Sequence, residues 1–500
     1  MNQQTDLFLA IDQSTSATKA LLFSVNGHLL DQESLPHRQI YPRPGWVEHD
    51  AEEIFNNTLH AAATLLLRHA DELHNVLALS ISNQRETFVL FDRETGQPLY
   101  HTIVWQCRRG DEVCQRLIHA GHEAAVHERT GLKVDTYFPA SKLRWLLDAR
   151  PDLRARLKDG SALFGTIDTY LIYRLTGGQV YATDHTNASR TLFYDIEKLA
   201  WSQELCDVFG VEASQLPEVR ESAAWFGDTN LNGCLNRRIS ICGVMGDSQA
   251  ALFAQRCFTP GSAKVTFGTG SSVLLNIGHE KRLSGHGTLT ALGWVWQGQP
   301  TYAFEGIINF TGATIAWLRD QLQLIADPNE VETLARSVSD SGGTYFVPAF
   351  VGISAPYWRA DARAAILGMT PSTTRAHVAR AALESIGYIV TDVLKAMGED
   401  AGVNLAMVHA DGGAVRNAFL MQFVADMNQL KVRAAQNPEL SALGAVFNGC
   451  LGLKVYTSLE DLQKLPVGFI EYTASIDAAR ANTLFTGWQK AVQQVLYQPK

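Results

Sequence analysis

The chain has 500 residues, 46% of them apolar and 19% charged, which is the composition of a folded globular protein rather than a disordered one. A formal net charge of −9, with no clustered Lys/Arg run, argues against a nucleic-acid partner. No stretch reaches the ~18 apolar residues of a membrane span, and the opening "MNQQTDLFLAIDQ" lacks the basic and apolar layout of an export signal, so a cytoplasmic protein is expected.

The seven cysteines include no C-x-x-C pair, so reduced thiols are expected rather than disulfides or metal ligands. The length suits two or three domains at ~150 residues each.

In chain order, "LFLAIDQSTSATKALLF" (residues 7–23) reads as strand, polar turn, strand. The turn from Ser14 to Thr18 either offers N–H groups and hydroxyls to a phosphate or simply closes a hairpin. Asp12, just before it, suits water-mediated contact to Mg²⁺. Residues 76–105 read as several strands with a turn at 94–97. Within them, "NQRETF" places Arg85 beside Glu86. Neighbours on a strand face opposite ways, so both reach one ligand only if the strand ends there; otherwise they form a surface ion pair. Trp105 and Tyr137 read by default as core aromatics.

"GVMGDSQAALFAQ" (residues 243–255) runs from an apolar strand into a small-residue helix, with the single carboxylate Asp247 at the junction. The strand–turn–strand design then returns at "SAKVTFGTGSSVLLNIG" (residues 262–278), with a Gly-Thr-Gly turn at 268–270. Either the domain is duplicated or two ordinary hairpins coincide. "CFTPGS" places a boundary near 250–260, giving domains 1–254 and 255–500 with a cleft expected between them. Residues 376–397 predict a long amphipathic helix, and 405–427 predict strand, glycine turn and helix. "DGGAVRN" in the latter is either an anion site at a helix N-terminus or a tight turn. The alternation of strands and helices predicts an α/β fold.

Longer stretches carry a resemblance. "IYPRPGWVEHD", "SNQRET", "VWQCRR", "YFPASKLRWLLD", "GTIDTYLIYRLTGG", "TDHTNASRT", "FVPAFVGISAPYW", "LGMTPSTTRAHVARAALE" and "DGGAVRNAFLMQF" span nearly the whole chain. In that order they resemble the FGGY family of carbohydrate kinases, and most nearly its glycerol-kinase branch. The resemblance implies two ribonuclease-H-like domains of the actin and hexokinase type, the N-terminal one for the polyol and the C-terminal one for the nucleotide. It also implies ATP- and Mg²⁺-dependent phosphorylation of a terminal hydroxyl of a small polyol.

By motif, Asp247 resembles the catalytic base, and Arg85, Glu86, Trp105 and Tyr137 match the polyol site. Thr15, Ser16, Lys19, Thr269, Gly312, Gly413 and Asn417 match positions near the nucleotide, and Asp12 its metal. Relatives of this kind form homodimers or homotetramers.

The chain departs from the branch at Ser248, where Gln is usual, and at Ser272, where Phe is usual. Both changes shrink a side chain expected beside the substrate. The acceptor is then either glycerol or a four- or five-carbon polyol or ketopentose. Ser14, Ala316 and Arg359 are further departures near the nucleotide, and Arg238 alone matches the regulatory sugar-bisphosphate loop of some bacterial relatives, so that regulation is not expected. A non-catalytic sensor or actin-like ATPase on the same fold has no need for Arg85, Glu86 and Asp247 together.

Overall fold

The computed structural model describes residues 6–359 and 361–497. Two compact units form, and neither is a single chain segment. The first gathers Met1–Arg256, Thr290–Tyr302 and Glu439–Pro466; the second gathers Cys257–Leu289, Ala303–Pro438 and Val467–Lys500.

The first unit is built on β1 (Leu7–Gln13), β2 (Ala17–Ser24), β3 (Leu29–Pro36), β4 (Val76–Asn83), β5 (Trp225–Thr229) and β6 (Ile239–Gly246), in the order β5-β6-β4-β1-β2-β3. β1, β2 and β3 form an antiparallel meander, while β4 runs parallel to β1 and β6 parallel to β4. The near-continuous apolar run of β1 reflects burial on both faces. Leu7, Leu9 and Ile11 join the core shared with α1 (Ala51–Arg68) and α2 (Ile167–Leu175), and the short α3 (His185–Ala188) follows α2 in the chain. Asp50 starts α1 by accepting the N–H groups of Glu52 and Glu53 at 2.9 and 3.3 Å.

The other face is covered by a helix that returns from late in the chain, Leu440–Gly452. It is buried almost all round, as its apolar composition requires. Its glycines permit the approach. A Cβ on Gly444 would sit 1.9 Å from the Ala250 carbonyl oxygen, and one on Gly449 would sit 2.7 Å from that of Cys242 on β6. Ala250 lies in α4 (Asp247–Ala254), so the returning helix backs the element that opens with Asp247.

A second sheet repeats the pattern. β7 (Ser262–Phe267), β8 (Ser271–Gly278), β9 (Leu289–Trp296), β10 (Gln299–Ile308), β11 (Met407–Asp411), β12 (Val432–Ala435) and β13 (Phe469–Tyr472) form a sheet ordered β9-β10-β8-β7-β11-β12-β13. β7 and β8 are antiparallel, and β11 and β12 follow in parallel, as β1, β2, β4 and β6 do. The central order β6-β4-β1-β2 of the first sheet recurs as β12-β11-β7-β8 in the second, while the outer strands connect differently; this recurrence favours duplication over coincidence for the two similar hairpins. The helix predicted over 376–397 is Arg375–Ala401, which ends at Gly402 with φ 60°. All seven cysteines are free thiols. Among the described residues, no helix is long and apolar enough to cross a membrane.

Candidate active site

Three parallel strands of the first sheet end level with one another. Gln13 pairs across to Asn83, and Asn83 to Gly246. Asp12, the Arg85–Glu86 dipeptide and Asp247 therefore emerge at one edge, the carboxyl ends of the strands, where ligands of α/β sheets bind.

The strand carrying Arg85 and Glu86 does end in time for both to face one way. After Asn83 the Thr87 N–H donates to the Arg85 carbonyl at 2.8 Å, closing a three-residue turn whose central residue, Glu86, has φ 61°. A left-handed glutamate is a strained conformation of the kind that gathers at functional sites. The result is a line of charges. Arg85 Nε lies 3.9 Å from Glu86 Oε1 and 3.2 Å from Asp247 Oδ1, and its Nη1 donates to Gln249 Oε1 at 3.2 Å. Arg85 and Glu86 are 6% and 2% exposed, which removes the surface-pair alternative, whereas the Asp247 side chain is 38% exposed. Gly246 makes room for this line, since a Cβ there would meet Arg85 Cγ at 2.7 Å. Ser248 follows Asp247 in the first turn of α4, its N–H donating to Asp247 Oδ1 at 2.6 Å.

Trp105 and Tyr137 are half-buried rather than core residues, with ring centroids 5.2 Å apart. Trp105 Nε1 donates to Thr15 Oγ1 at 3.0 Å, which ties the aromatic pair to the polar turn after β1. That turn is closed by the Ser14 N–H donating to the Ala17 carbonyl at 2.9 Å, and Ser16 in it is exposed. Behind the pair lies Lys142. Its buried Nζ donates to the carbonyls of Tyr137 at 3.1 Å, Trp105 at 3.4 Å and Thr136. Burial pushes the Lys142 ammonium down to about 8.

Asp12 is half-buried at the same edge and accepts from the Ser82 hydroxyl. Burial raises its pKa to about 6, against the opposing pull of Ser82 and Lys19, and the charges of Asp247 and Glu439 push the same way as burial. Lys19 Nζ contacts both Glu439 oxygens at 2.7 Å, so its ammonium is already paired across the sheet edge.

In the second unit the Gly-Thr-Gly turn follows β7. The Gly312 N–H donates to the Gly268 carbonyl at 3.0 Å, and those of Thr311 and Ala313 to the Thr269 carbonyl at 2.9 and 3.0 Å. Thr269 is thereby seated against the start of the helix Gly312–Asp320. Gly412, after β11, approaches so closely that a Cβ would lie 2.4 Å from the Phe267 carbonyl oxygen, while one on Gly413 would meet nothing within 4 Å. Asn417 caps the helix Ala418–Asn428 by accepting the Leu420 N–H at 2.9 Å. Thr269, Gly312, Gly413 and Asn417 thus border the carboxyl ends of β7 and β11. Ser272, on β8, has a buried Oγ with no hydrogen-bond partner.

Residues 7–254 match the N-terminal domain of the FGGY family of carbohydrate kinases, and residues 263–453 match its C-terminal domain. The chain belongs to this family. FGGY kinases are enzymes that phosphorylate an alcohol group of a carbohydrate, and this chain is such an enzyme. A Thermotoga maritima protein named glycerol kinase 1 is 44% identical over 488 residues, 98% of this chain and 99% of its own length. A glycerol kinase from Symbiobacterium thermophilum is 45% identical over 97% of each chain. The crystal structure of Plasmodium falciparum glycerol kinase with ADP superposes with a TM-score of 0.94 at 34% identity, covering 99% of both chains. A ligand-bound xylulose kinase from Lactobacillus acidophilus shares the fold, with a TM-score of 0.88 at 20% identity.

Within this FGGY chain several site residues escape a reading by single motifs. Glu439, in the loop just before the helix Leu440–Gly452, and Gln249, in an apolar helix, carry no local cue to their partners. Lys142, Thr186, Asn187 and Arg190 sit inside quoted motifs but acquire roles only through long-range contacts. The signal that was available is the density of short polar residues in "TDHTNASRT", far more than a buried helical turn needs.

Proposed function

We propose that the chain transfers the γ-phosphoryl group of ATP to a terminal hydroxyl of glycerol, with Asp247 as general base. The observation that carries this is the convergence of Arg85, Glu86 and a half-exposed Asp247 at the carboxyl edge of one sheet. Identity of 44% over nearly full length to a protein named glycerol kinase 1 supports the choice of acceptor.

In this reading Glu86 accepts from acceptor hydroxyls and Arg85 donates to their oxygens. Trp105 and Tyr137 cover the C–H face of the polyol. Asp247 orients the attacking hydroxyl and takes its proton. Phosphoryl transfer passes through a loose transition state, so the proton leaves late and a carboxylate is a sufficient base. Help of this kind contributes ~10²–10⁴-fold, and positioning supplies much of the rest. Thr269, Gly312, Gly413 and Asn417, with Thr15, Ser16 and Lys19, are assigned to the nucleotide.

Magnesium fits Asp12. The carboxyl ionises reluctantly because of burial and two neighbouring carboxylates, a burden that a divalent cation relieves. Mg²⁺ binds through one or two carboxylates plus substrate phosphates and water, and the described residues contain no cluster of three His, Cys, Asp or Glu to form a cage of their own. When bound, the ion neutralises phosphate charge. Asp12 would hold it, while Glu439 balances Lys19 beside it.

A second reading has one observation in its favour. Ser248, beside Asp247 in the first turn of α4, is smaller than the Gln usual in the branch, which suits a four- or five-carbon substrate. An ADP-release assay with MgATP across glycerol, erythritol, threitol, five-carbon polyols, ribulose and xylulose decides the matter. Glycerol is expected to give the highest kcat/KM; a longer acceptor winning would overturn the assignment. Asp247→Asn is expected to lower kcat at least ~10²-fold with ATP binding by calorimetry unchanged. Surviving turnover would remove Asp247 from the role of base.

A further inference from the structure

Residues 183–191 read "TDHTNASRT", and no step of the reaction proposed above uses them. They begin with Asp184, which caps a single helical turn, His185–Ala188. The buried Asp184 carboxylate accepts the N–H groups of Thr186 and Asn187 at 3.0 and 2.9 Å, the Asn187 amide at 2.9 Å, the Thr186 hydroxyl at 2.7 Å and the Ser222 hydroxyl at 2.8 Å. Five donors on one carboxylate are far more than a one-turn helix needs for its N-terminus. They fix the direction of each side chain that leaves the turn.

Thr186 and Asn187 in the turn, and Arg190 just after it, reach toward the acceptor site. Thr186 Oγ1 accepts the N–H of Gly246, the residue immediately before Asp247, at 2.8 Å. Its proton is committed to Asp184, so a lone pair is aimed at Gly246. Asn187 and Asn83 exchange reciprocal amide bonds at 2.9 and 3.0 Å, which holds the end of β4 two residues before Arg85. Arg190 Nε donates to Glu86 Oε1 at 2.6 Å, and its guanidinium carbon lies 5.2 Å from the Phe138 ring centroid. Thr186, Asn187 and Arg190 are each 0% exposed, so none of these bonds competes with solvent.

We propose that this turn is the positioning element of the acceptor site. Thr186 sets the base through the Gly246 peptide, and Arg190 sets the acceptor-binding carboxylate of Glu86. The two contacts act on different quantities. Loss of the Thr186 bond frees the junction that aims Asp247, which lowers kcat. Loss of the Arg190 bond frees Glu86, which raises KM for the acceptor. This rests on the reading of Asp247 as base and Glu86 as acceptor ligand.

The test uses the full chain, MgATP and the best acceptor from the panel above. Thr186→Val, Thr186→Ser, Ser222→Ala, Arg190→Lys and Asp247→Asn are compared by steady-state kinetics and thermal melting. Ser222 donates to the same Asp184 oxygen but touches neither Gly246 nor Glu86, so its variant reports what mere loosening of the turn does. Thr186→Val is expected to lower kcat by ~10–100-fold, since a shift of about 1 Å at a reacting group costs that order, with KM for ATP unchanged. Thr186→Ser recovers most of the loss, and Ser222→Ala keeps kcat while melting earlier. Arg190→Lys raises acceptor KM by roughly tenfold with kcat largely kept.

Equal kcat losses in Thr186→Val and Ser222→Ala, with Asp247→Asn inactive, would overturn the positioning role while leaving the base in place. An active Asp247→Asn enzyme would overturn the base reading itself. If Thr186→Val gives no cooperative melt, Arg190→Lys decides: a raised acceptor KM supports the proposal, and a fall in kcat at constant KM overturns it.

Discussion

The proposed role of Asp12 as holder of Mg²⁺ would link the pH dependence of the enzyme to its metal. In the folded protein its pKa is raised, chiefly by burial, from the ordinary carboxylate range to about 6. A raised carboxylate favours folding when protonated. That contribution is complete below the unfolded value near ~4 and disappears as pH climbs through about 6. With Mg²⁺ assigned to Asp12 as proposed, activity runs the opposite way, because only the ionised form would hold the ion. An acid limb near pH 6 is therefore expected in kcat/KM for MgATP, and more Mg²⁺ should move it to lower pH, since cation and proton compete for one carboxylate. Asp12→Asn should abolish the metal-dependent movement. A limb that stays fixed as Mg²⁺ is varied would assign it to another group. The chemical nature of Asp12, Arg85, Glu86 and Asp247 was readable because each stands beside a strand end or polar turn. Glu439 was not, because its partner Lys19 is 420 positions away. The same holds for Asn187 and Asn83, separated by 104.

The elements were more legible than their neighbours. Period-two apolar runs exposed both hairpins, and the apolar spacing of Arg375–Ala401 exposed its helix, because these signals are local. The turn over Arg85–Thr87 was not predictable, since a left-handed glutamate goes against its own propensity and is held by tertiary contacts. Nor did the small residues of Leu440–Gly452 disclose what they pack on. Their consequence can be measured. A methyl group at Gly444 must displace the backbone of α4 at Ala250. Gly444→Ala is expected to destabilise by ~1–3 kcal/mol, the usual scale of overpacking, by urea unfolding. Because α4 opens with Asp247, kcat should fall in the fraction that remains folded. A stable and fully active variant would mean that the two helices separate without moving the base.

At the scale of the molecule, repetition of one strand order in two sheets was foreshadowed by the two similar hairpins. The division of the chain was less simple than one cut near residue 255. Glu439–Pro466 belongs with the first unit and covers one face of its sheet. A fragment ending at Arg256 is accordingly expected to be a poorly cooperative, aggregating species by circular dichroism and melting. Joining residues 439–466 to it through a flexible linker should restore a cooperative transition. A well-folded 1–256 fragment would show that the returning helix is dispensable.

The returning helix also sets an order of events during synthesis. The ribosome delivers the six strands of the first sheet early, but the segment that seals one face and brings Glu439 to Lys19 emerges only after nearly all of the second unit. At ~5–20 residues per second that delay is on the order of ten seconds or more. Throughout it, one apolar face of the first sheet lacks the helix that covers it in the folded protein. Phosphoryl-transfer competence is therefore withheld until translation is almost complete, and a premature stop anywhere before Glu439 yields a product that lacks both a finished core and a finished site.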